Sequence, residues 1–246
     1  MQVRDEEDLL PGCLAHLRDW VDGFVAIDDG SVDSTPAILS REPKMLDVMT
    51  NPPHTGEMFK QERNSRQRLL VRAQELGASW VLCCDADERY EQAFLRGFPS
   101  IRAAAEENGR VRLTLRLREL WDSPTQYRVD GIWGQKTRSR VFPLPATMTF
   151  DNLKPLHGPW YPAELSSPEF VNVIDYNLYH LNMIRPEARA ARRDRYNAID
   201  PNKEAQEIGY DYLTDESGLK LESIPAGKEY DLSTLSPDLV QELGGV

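Results

Sequence analysis

The sequence predicts an α/β protein whose central sheet is mostly parallel and flanked by helices on both faces. Through the first half, short apolar runs alternate with segments of helical periodicity, the order that builds parallel sheets from strand–helix–strand units. Two of those runs also end abruptly in carboxylates, "FVAIDDGS" at 24–31 and "WVLCCDADER" at 80–89. An open sheet presents its ligand site beyond the carboxyl ends of its strands.

The elements follow in order. "DEEDLLPGCLAHLRDWV" places Leu10, Cys13, Leu14 and Leu17 at helical spacing behind an acidic start. "GFVAIDDGS" reads as a strand and its loop, and "DSTPAIL" as a helix start, with Ser34 or Thr35 as N-cap and Pro36 in the first turn. "KMLDVMTN" (44–51) is a third strand, closed by Pro52, Pro53 and Gly56. "FKQERNSRQRLLVRAQELGA" carries a stripe of Leu69, Leu70, Ala73 and Leu76, with Gly77 as its stop. After the strand at 80–84 come a helix around 90–108 and a strand at 110–120.

The second half is richer in aromatic and turn residues. "WDSPTQYRVDGIWGQKTRSRVFPLP" reads as a hairpin or loop pair, "PLHGPWYP" as a loop, "FVNVIDYNLYHL" (170–181) as a strand and "RPEARAARRDRYNAI" as a basic helix. We expect one domain over 1–208, with a first half to about 120 and a second from 121, and a peripheral acidic tail over 209–246.

Among 246 residues, 40% are hydrophobic and 28% charged, enough for a real core. The net charge of −11 argues against a nucleic-acid partner. No apolar run approaches a membrane span, and "MQVRDEEDLL" lacks the basic-then-apolar pattern of a secretory signal. A cytoplasmic location is the expectation, with peripheral membrane contact left open. Cys13, Cys83 and Cys84 read as reduced, buried residues, and no Cys/His spacing suits zinc.

Asp85 and Asp87 stand two apart at a strand end, so on an extended chain both carboxylates project to one side. A hard cation, Mn²⁺ or Mg²⁺, would relieve their repulsion and hold a substrate diphosphate. The plainer alternative is an acidic turn that caps the next helix. Asp28 and Asp29 end an earlier strand and are placed to accept hydrogen bonds from a base or ribose. Against that stands a turn in which Asp29 and Ser31 bond local amides.

"VRDEEDLLPGCLAHLRDWVDGFVAIDDGSVDSTPAIL" followed by "RNSRQRLLVRAQELGASWVLCCDADER" resembles the family 2 glycosyltransferases of GT-A fold, over roughly residues 1–120. The resemblance implies a nucleotide-diphospho-sugar donor, a divalent metal and inverting transfer to a saccharide or glycolipid-type acceptor. Carried over, Asp28 falls on the nucleoside contact and Asp85 and Asp87 on the DxD pair, Asp87 being the more direct metal ligand. Arg4 lies in the first loop beside the base pocket, and Arg66 on the helix before the DxD strand. The resemblance also implies a full first strand, whereas only Met1 to Val3 precede "RDEE".

The same resemblance makes His180 a metal or diphosphate ligand, against the plainer reading of a core histidine. Arg138 and Arg140 read as edge-strand charges rather than a diphosphate clamp. Trp160 and Tyr161 suit the face of an acceptor sugar. Similar enzymes carry "HE" where this chain has His157 and Gly158, so His157 is the expected general base, with Asp151 and Glu164 as rivals. The other readings are a catalytically inert GT-A module and a sugar nucleotidyltransferase. The latter needs a Gly-rich phosphate loop that "VRDEEDLLPG" does not offer.

Overall fold

The structure, a computed structural model, describes residues 1–52, 59–152, 158–204 and 206–242. The chain begins with β1 (Gln2–Val3), α1 (Leu10–Leu17), β2 (Phe24–Asp28), α2 (Thr35–Arg41), β3 (Met45–Thr50) and α3 (Phe59–Glu75). It continues through β4 (Trp80–Leu82), β5 (Glu88–Tyr90), α4 (Gln92–Asn108), β6 (Arg112–Glu119), β7 (Gln126–Arg128) and β8 (Thr137–Pro143). The last elements are β9 (Val171–His180), α5 (Pro186–Ile199), β10 (Leu221–Ser223) and α6 (Pro237–Glu242). Helix ends follow local chemistry: α3 and α4 stop where Gly77 and Gly109 adopt φ of 84° and 72°, angles that cost a side chain heavily.

The protein is mixed α/β, and the expected mostly parallel sheet requires correction. β1, β2 and β3 form a parallel sheet in that order. The larger sheet runs β4-β8-β6-β9-β5, with β6 and β9 its one parallel pair and the other three pairs antiparallel. The cause lies in the connections. β8 reaches its place between β4 and β6 from a stretch after β7 that holds one short 3₁₀ turn (Trp133–Gln135) and no α-helix, and a chain that returns without a crossover helix pairs antiparallel. Val141 and Phe142, fully buried, hold β8 there.

Helices cover both faces. On one, Cys13, Leu14 and Leu17 of α1 and Phe94, Leu95 and Ala105 of α4 pack on Leu113, Leu115 and Leu117 of β6. On the other, Leu69 and Leu70 of α3 meet Ile27, Cys83 and Phe142. The neighbouring thiols divide as strand alternation requires, Cys84 on the first face and Cys83 on the second. All three cysteines are free.

Residues 209–242, expected as a peripheral tail, carry core side chains. Tyr210 and Leu213 pack with Trp121 and Trp133, while Tyr230, Leu235 and Leu239 pack with Tyr179 and Ile184. β10 pairs with β7. Composition misleads here because a few large aromatics among many charges suffice to seat a segment. The approach is tight: a Cβ at Gly12 of α1 would collide with the Thr234 carbonyl and lie 2.7 Å from the Arg89 guanidinium. Gly12→Ala is therefore expected to destabilise by about 1–3 kcal/mol in urea unfolding, although alanine is the better helix former.

Candidate functional site

The carboxyl ends of β1, β2 and β3 converge on a polar cluster. Asp28 accepts the Ser31 amide at 3.1 Å. Asp29 accepts Asn51 Nδ2 at 2.6 Å and Gln2 Nε2 at 3.1 Å. Asn51 in turn donates to Ser65 Oγ at 2.8 Å and accepts Arg68 at 2.5 Å. Both aspartates are buried. Asn51, Ser65 and Arg68 were not singled out from sequence, although a polar residue ending the "KMLDVMTN" strand was the available signal.

The rest of "DDGSVDST" laces two loops together. Ser31 Oγ accepts the Asp5 amide, Asp33 the Glu7 amide and Thr35 Oγ1 the Glu6 amide, at 2.8–3.0 Å. In return Asp5 accepts the Val32 amide and Glu7 the Ser34 amide. Arg4 lies in this loop with Asp5 3.6 Å away. Thus Ser31, Asp33 and Thr35 hold the first loop against the β2 turn, a job their hydroxyl and carboxylate groups do well.

After β4 the chain does not stay extended. The Glu88 amide bonds the Asp85 carbonyl at 3.1 Å, and the Asp85 amide bonds Glu88 Oε2 at 3.0 Å. This turn sends the two aspartates apart, which corrects the expectation that both project to one side. Asp85 faces Arg140 at 2.7 Å, and Asp87 faces His180 Nε2 at 2.9 Å.

Arg140 reaches Asp85 through a β-bulge. Between β6 and β8 the register passes from Leu113↔Val141 to Thr114↔Ser139, leaving Arg140 without an opposite residue. A bulge re-aims a side chain, so Arg138 is exposed while Arg140 is buried against Asp85 and, at 2.5 Å, Glu88. The edge-strand reading of Arg140 does not hold, because β8 is interior. Burial pushes Glu88 up to about 7 against the opposing charge of Arg140.

His180 sits at the centre of a buried charge network. Its Nδ1 lies 2.5 Å from Glu119, which also accepts Lys136 Nζ at 3.1 Å. Burial works against a charged imidazole, but Asp87 and Glu119 outweigh it and hold His180 up to about 10. Asp87 and Glu119 are driven well below the usual carboxylate range, burial being overcome chiefly by His180. Protonated on both nitrogens, the ring bridges two carboxylates, and Arg192, 3.2 Å from Nε2, adds charge rather than a bond to it. Glu6, in the laced loop, is pushed up to about 8 by burial and then by Asp87 and Asp85. Three acidic groups from two strand ends therefore feel one another. Glu119 and Lys136 escaped the sequence reading, though "RLREL" is a third strand ending in an acid.

Arg66 donates to the Gly158 carbonyl and lies over Trp160, 4.7 Å from its ring centre; Arg140 lies 5.5 Å from the same ring. Trp160 is buried in the core and so offers no free face to a sugar, while Tyr161, partly buried, has Arg112 over one face of its ring at 4.1 Å. His157 lies outside the described residues. Of its rivals, Glu164 is engaged by the Thr149 amide and hydroxyl at 2.9 Å, and Asp151 is exposed.

A scan of the sequence against known protein families finds no match. The chain is 34% identical over 122 residues to TPR repeat-containing protein Synpcc7942_0270 of Synechococcus elongatus, which covers 48% of this chain. The chain spans about a quarter, 26%, of the length of that curated relative. Among solved structures, S. aureus TarS matches at 14% identity over 87% of this chain and 41% of that one, with a TM-score of 0.46. S. aureus TarS 1–349 in complex with UDP matches at 16% identity over 87% of this chain and 68% of that one, with a TM-score of 0.47. Among the described residues no helix is long and apolar enough to cross a membrane.

Proposed function

We propose that the chain is a metal-dependent, inverting glycosyltransferase that moves a sugar from a nucleotide-diphospho-sugar to an acceptor hydroxyl on a saccharide or glycolipid. The observation that supports this most is the line Glu119–His180–Asp87 at the end of the sheet. A histidine whose Nδ1 is fixed by a carboxylate, with its Nε2 facing a second carboxylate, is how proteins orient an imidazole toward a cation.

The donor set fits a divalent ion with few protein ligands. Octahedral Mg²⁺ with bonds of about 2.0–2.1 Å places adjacent ligands about 3 Å apart, and Asp87 Oδ2 and His180 Nε2 are 2.9 Å apart. Asp87 and His180 would hold the ion in place of the shared proton. Asp85 would not join them, since Arg140 occupies it, and among the described residues no group of three or more His, Cys, Asp or Glu could hold a metal. Such ions commonly keep water and substrate phosphate in their other positions. When bound, the ion would act as a Lewis acid and neutralise charge on the departing nucleoside diphosphate.

In this reading Asp28 and Asp29, with Arg4 beside them, receive the nucleoside. Arg140 fixes Asp85 for a hydrogen bond to the donor, and Arg66 braces the Gly158–Trp160 loop. His157 removes the acceptor proton as its oxygen attacks the anomeric carbon from the face opposite the diphosphate.

Calorimetric titration with UDP and GDP, with and without Mn²⁺, tests the reading. Binding of one of them that requires Mn²⁺ is expected. Glu119→Gln is expected to weaken Mn²⁺ binding by about tenfold to a hundredfold, as loss of an orienting carboxylate does. No nucleotide binding in either condition would leave the inert module, which the pairing of Asp87 with His180 and Asp85 with Arg140 favours.

A further inference from the structure

The fold sorts its three cysteines into a pair and a single. Cys13 Sγ of α1 and Cys84 Sγ, just past β4, lie 3.6 Å apart across a sequence separation of 71 residues. Both sit in the core on the α1 side, 0% and 2% exposed, whereas Cys83 belongs to the opposite face. Two thiols in contact differ from isolated ones, because each has a reaction partner already in place.

The pair shares an acceptor. The Asp85 carbonyl takes an S–H bond from Cys84 at 3.2 Å and from Cys13 at 3.6 Å, and Cys84 also approaches the Glu88 carbonyl at 3.7 Å. The two sulfurs therefore meet over the start of the 85–88 turn. The bond from Cys84, opposed by burial and helped by Arg89, holds Cys13 below the usual thiol range, while burial pushes Cys83 up to about 12. Thiolate character thus falls on a sulfur that has a neighbour.

Closing the gap asks little of the chain. A disulfide spans about 2.05 Å, so the sulfurs must approach by about 1.5 Å from where they stand. Cys84 is the partner better able to move. β4 pairs with β8 as far as Leu82, the Cys83 amide adds one bond to the Arg140 carbonyl, and Cys84 lies beyond both. α1 is held more firmly, with Gly12 against the Thr234 carbonyl and the Leu9 carbonyl accepting Arg89 at 3.0 Å.

We propose that Cys13 and Cys84 form a redox-modification site, in which a peroxide joins the two sulfurs and the disulfide locks α1 to the 85–88 turn. Nothing in this chemistry depends on sugar transfer. The Cys13 thiolate attacks one oxygen of hydrogen peroxide, the O–O bond breaks, and the leaving hydroxide takes up a proton to become water. The Cys84 sulfur then attacks the sulfenic sulfur of Cys13; the S–O bond breaks and a second water leaves with the Cys84 proton. Each sulfur loses one electron and the peroxide gains two. Burial favours this closed route, since a peroxide is close to water in size and the sulfenic acid has a thiol beside it but no room for a bulky one. A dithiol reductant reverses the link by exchange.

The test treats the native chain with excess hydrogen peroxide and maps its thiols. One peptide cross-linked from Cys13 to Cys84 is expected, with Cys83 still free, and dithiothreitol is expected to restore all three thiols. Closing so long a loop is expected to raise the urea midpoint of the oxidised chain. Cys13→Ala is expected to slow oxidation at Cys84 by about tenfold or more, and Cys83→Ala to leave the cross-link unchanged. No reaction, a disulfide that includes Cys83, a cross-link between chains, or oxidation that runs on to sulfinic acid overturns the proposal. The expected cross-link with an unchanged or lowered midpoint overturns the lock. The mapping uses the parent chain, so misfolding of a variant does not blur it.

Discussion

His180→Ala is expected to lower stability by about 3–5 kcal/mol at neutral pH in the absence of metal. That is the cost of leaving buried charges without their counter-ion, here Asp87 and Glu119. The pH profile separates this from a packing loss. His180 is raised from 6.5 to about 10 in the folded chain, so its stabilisation is full below pH 6.5 and is lost as the pH rises through 10. Glu6 and Glu88, raised from 4.5 to about 8 and about 7, also weaken the fold as pH rises, but their effect is complete by about pH 8. Asp87 and Glu119, held below 3.8 and 4.5, stabilise above those values and cease to do so as the pH falls through their lowered folded values. Urea midpoints of the parent chain should therefore decline between pH 8 and 10, and those of His180→Ala should be flat there. Identical profiles would show that the network carries no net charge stabilisation.

Arg89→Met is expected to be comparably severe, at about 3–5 kcal/mol. Arg89 is fully buried, and its guanidinium donates to the Ala86 and Glu88 carbonyls at 2.9 Å, to Leu9 at 3.0 Å and to Thr234 Oγ1 at 3.3 Å. A methionine fills similar volume but leaves several buried acceptors unmet, each costing about 1–3 kcal/mol. Limited proteolysis should show the effect first after Tyr230, since Thr234 joins the late chain to α1 and the 85–88 turn through this one side chain. Thr234→Val, which removes one acceptor, is expected to cost about 1 kcal/mol. If Arg89→Met released nothing after Tyr230, the link would be incidental.

Much of the element order was legible from sequence. Leu10, Cys13, Leu14 and Leu17 are buried as their spacing predicts, and Leu69, Leu70 and Ala73 form the inner face of α3, although Leu76 is 39% exposed. The acidic strand ends were legible too, because carboxylates directly after an apolar run have few other places to lie. Pairing was not. Nothing in "TRSRVFP" indicates that β8 will slide between β4 and β6 in reverse, since strand neighbours are chosen by distant connections rather than by local pattern. The divergence of Asp85 and Asp87 was hidden for a related reason: two-residue spacing fixes a common side only while the chain stays extended, and Glu88 folds it into a turn. Glu119 and Lys136 join His180 from two other strands or their flanks, a convergence no single stretch contains.

The unopposed residue in β8 makes that strand intolerant of length changes. Removing one residue between Thr137 and Val141 would restore an even ladder, swing the guanidinium at 140 outward, and leave Asp85 beside Glu88 with nothing to quiet their repulsion. The connection from Asp130 to Lys136 is held as well, by Trp133 in the core and by Lys136 on Glu119, so insertions should be rejected there too. Sequence drift along this short span is thus graded by the count of residues as much as by their kind.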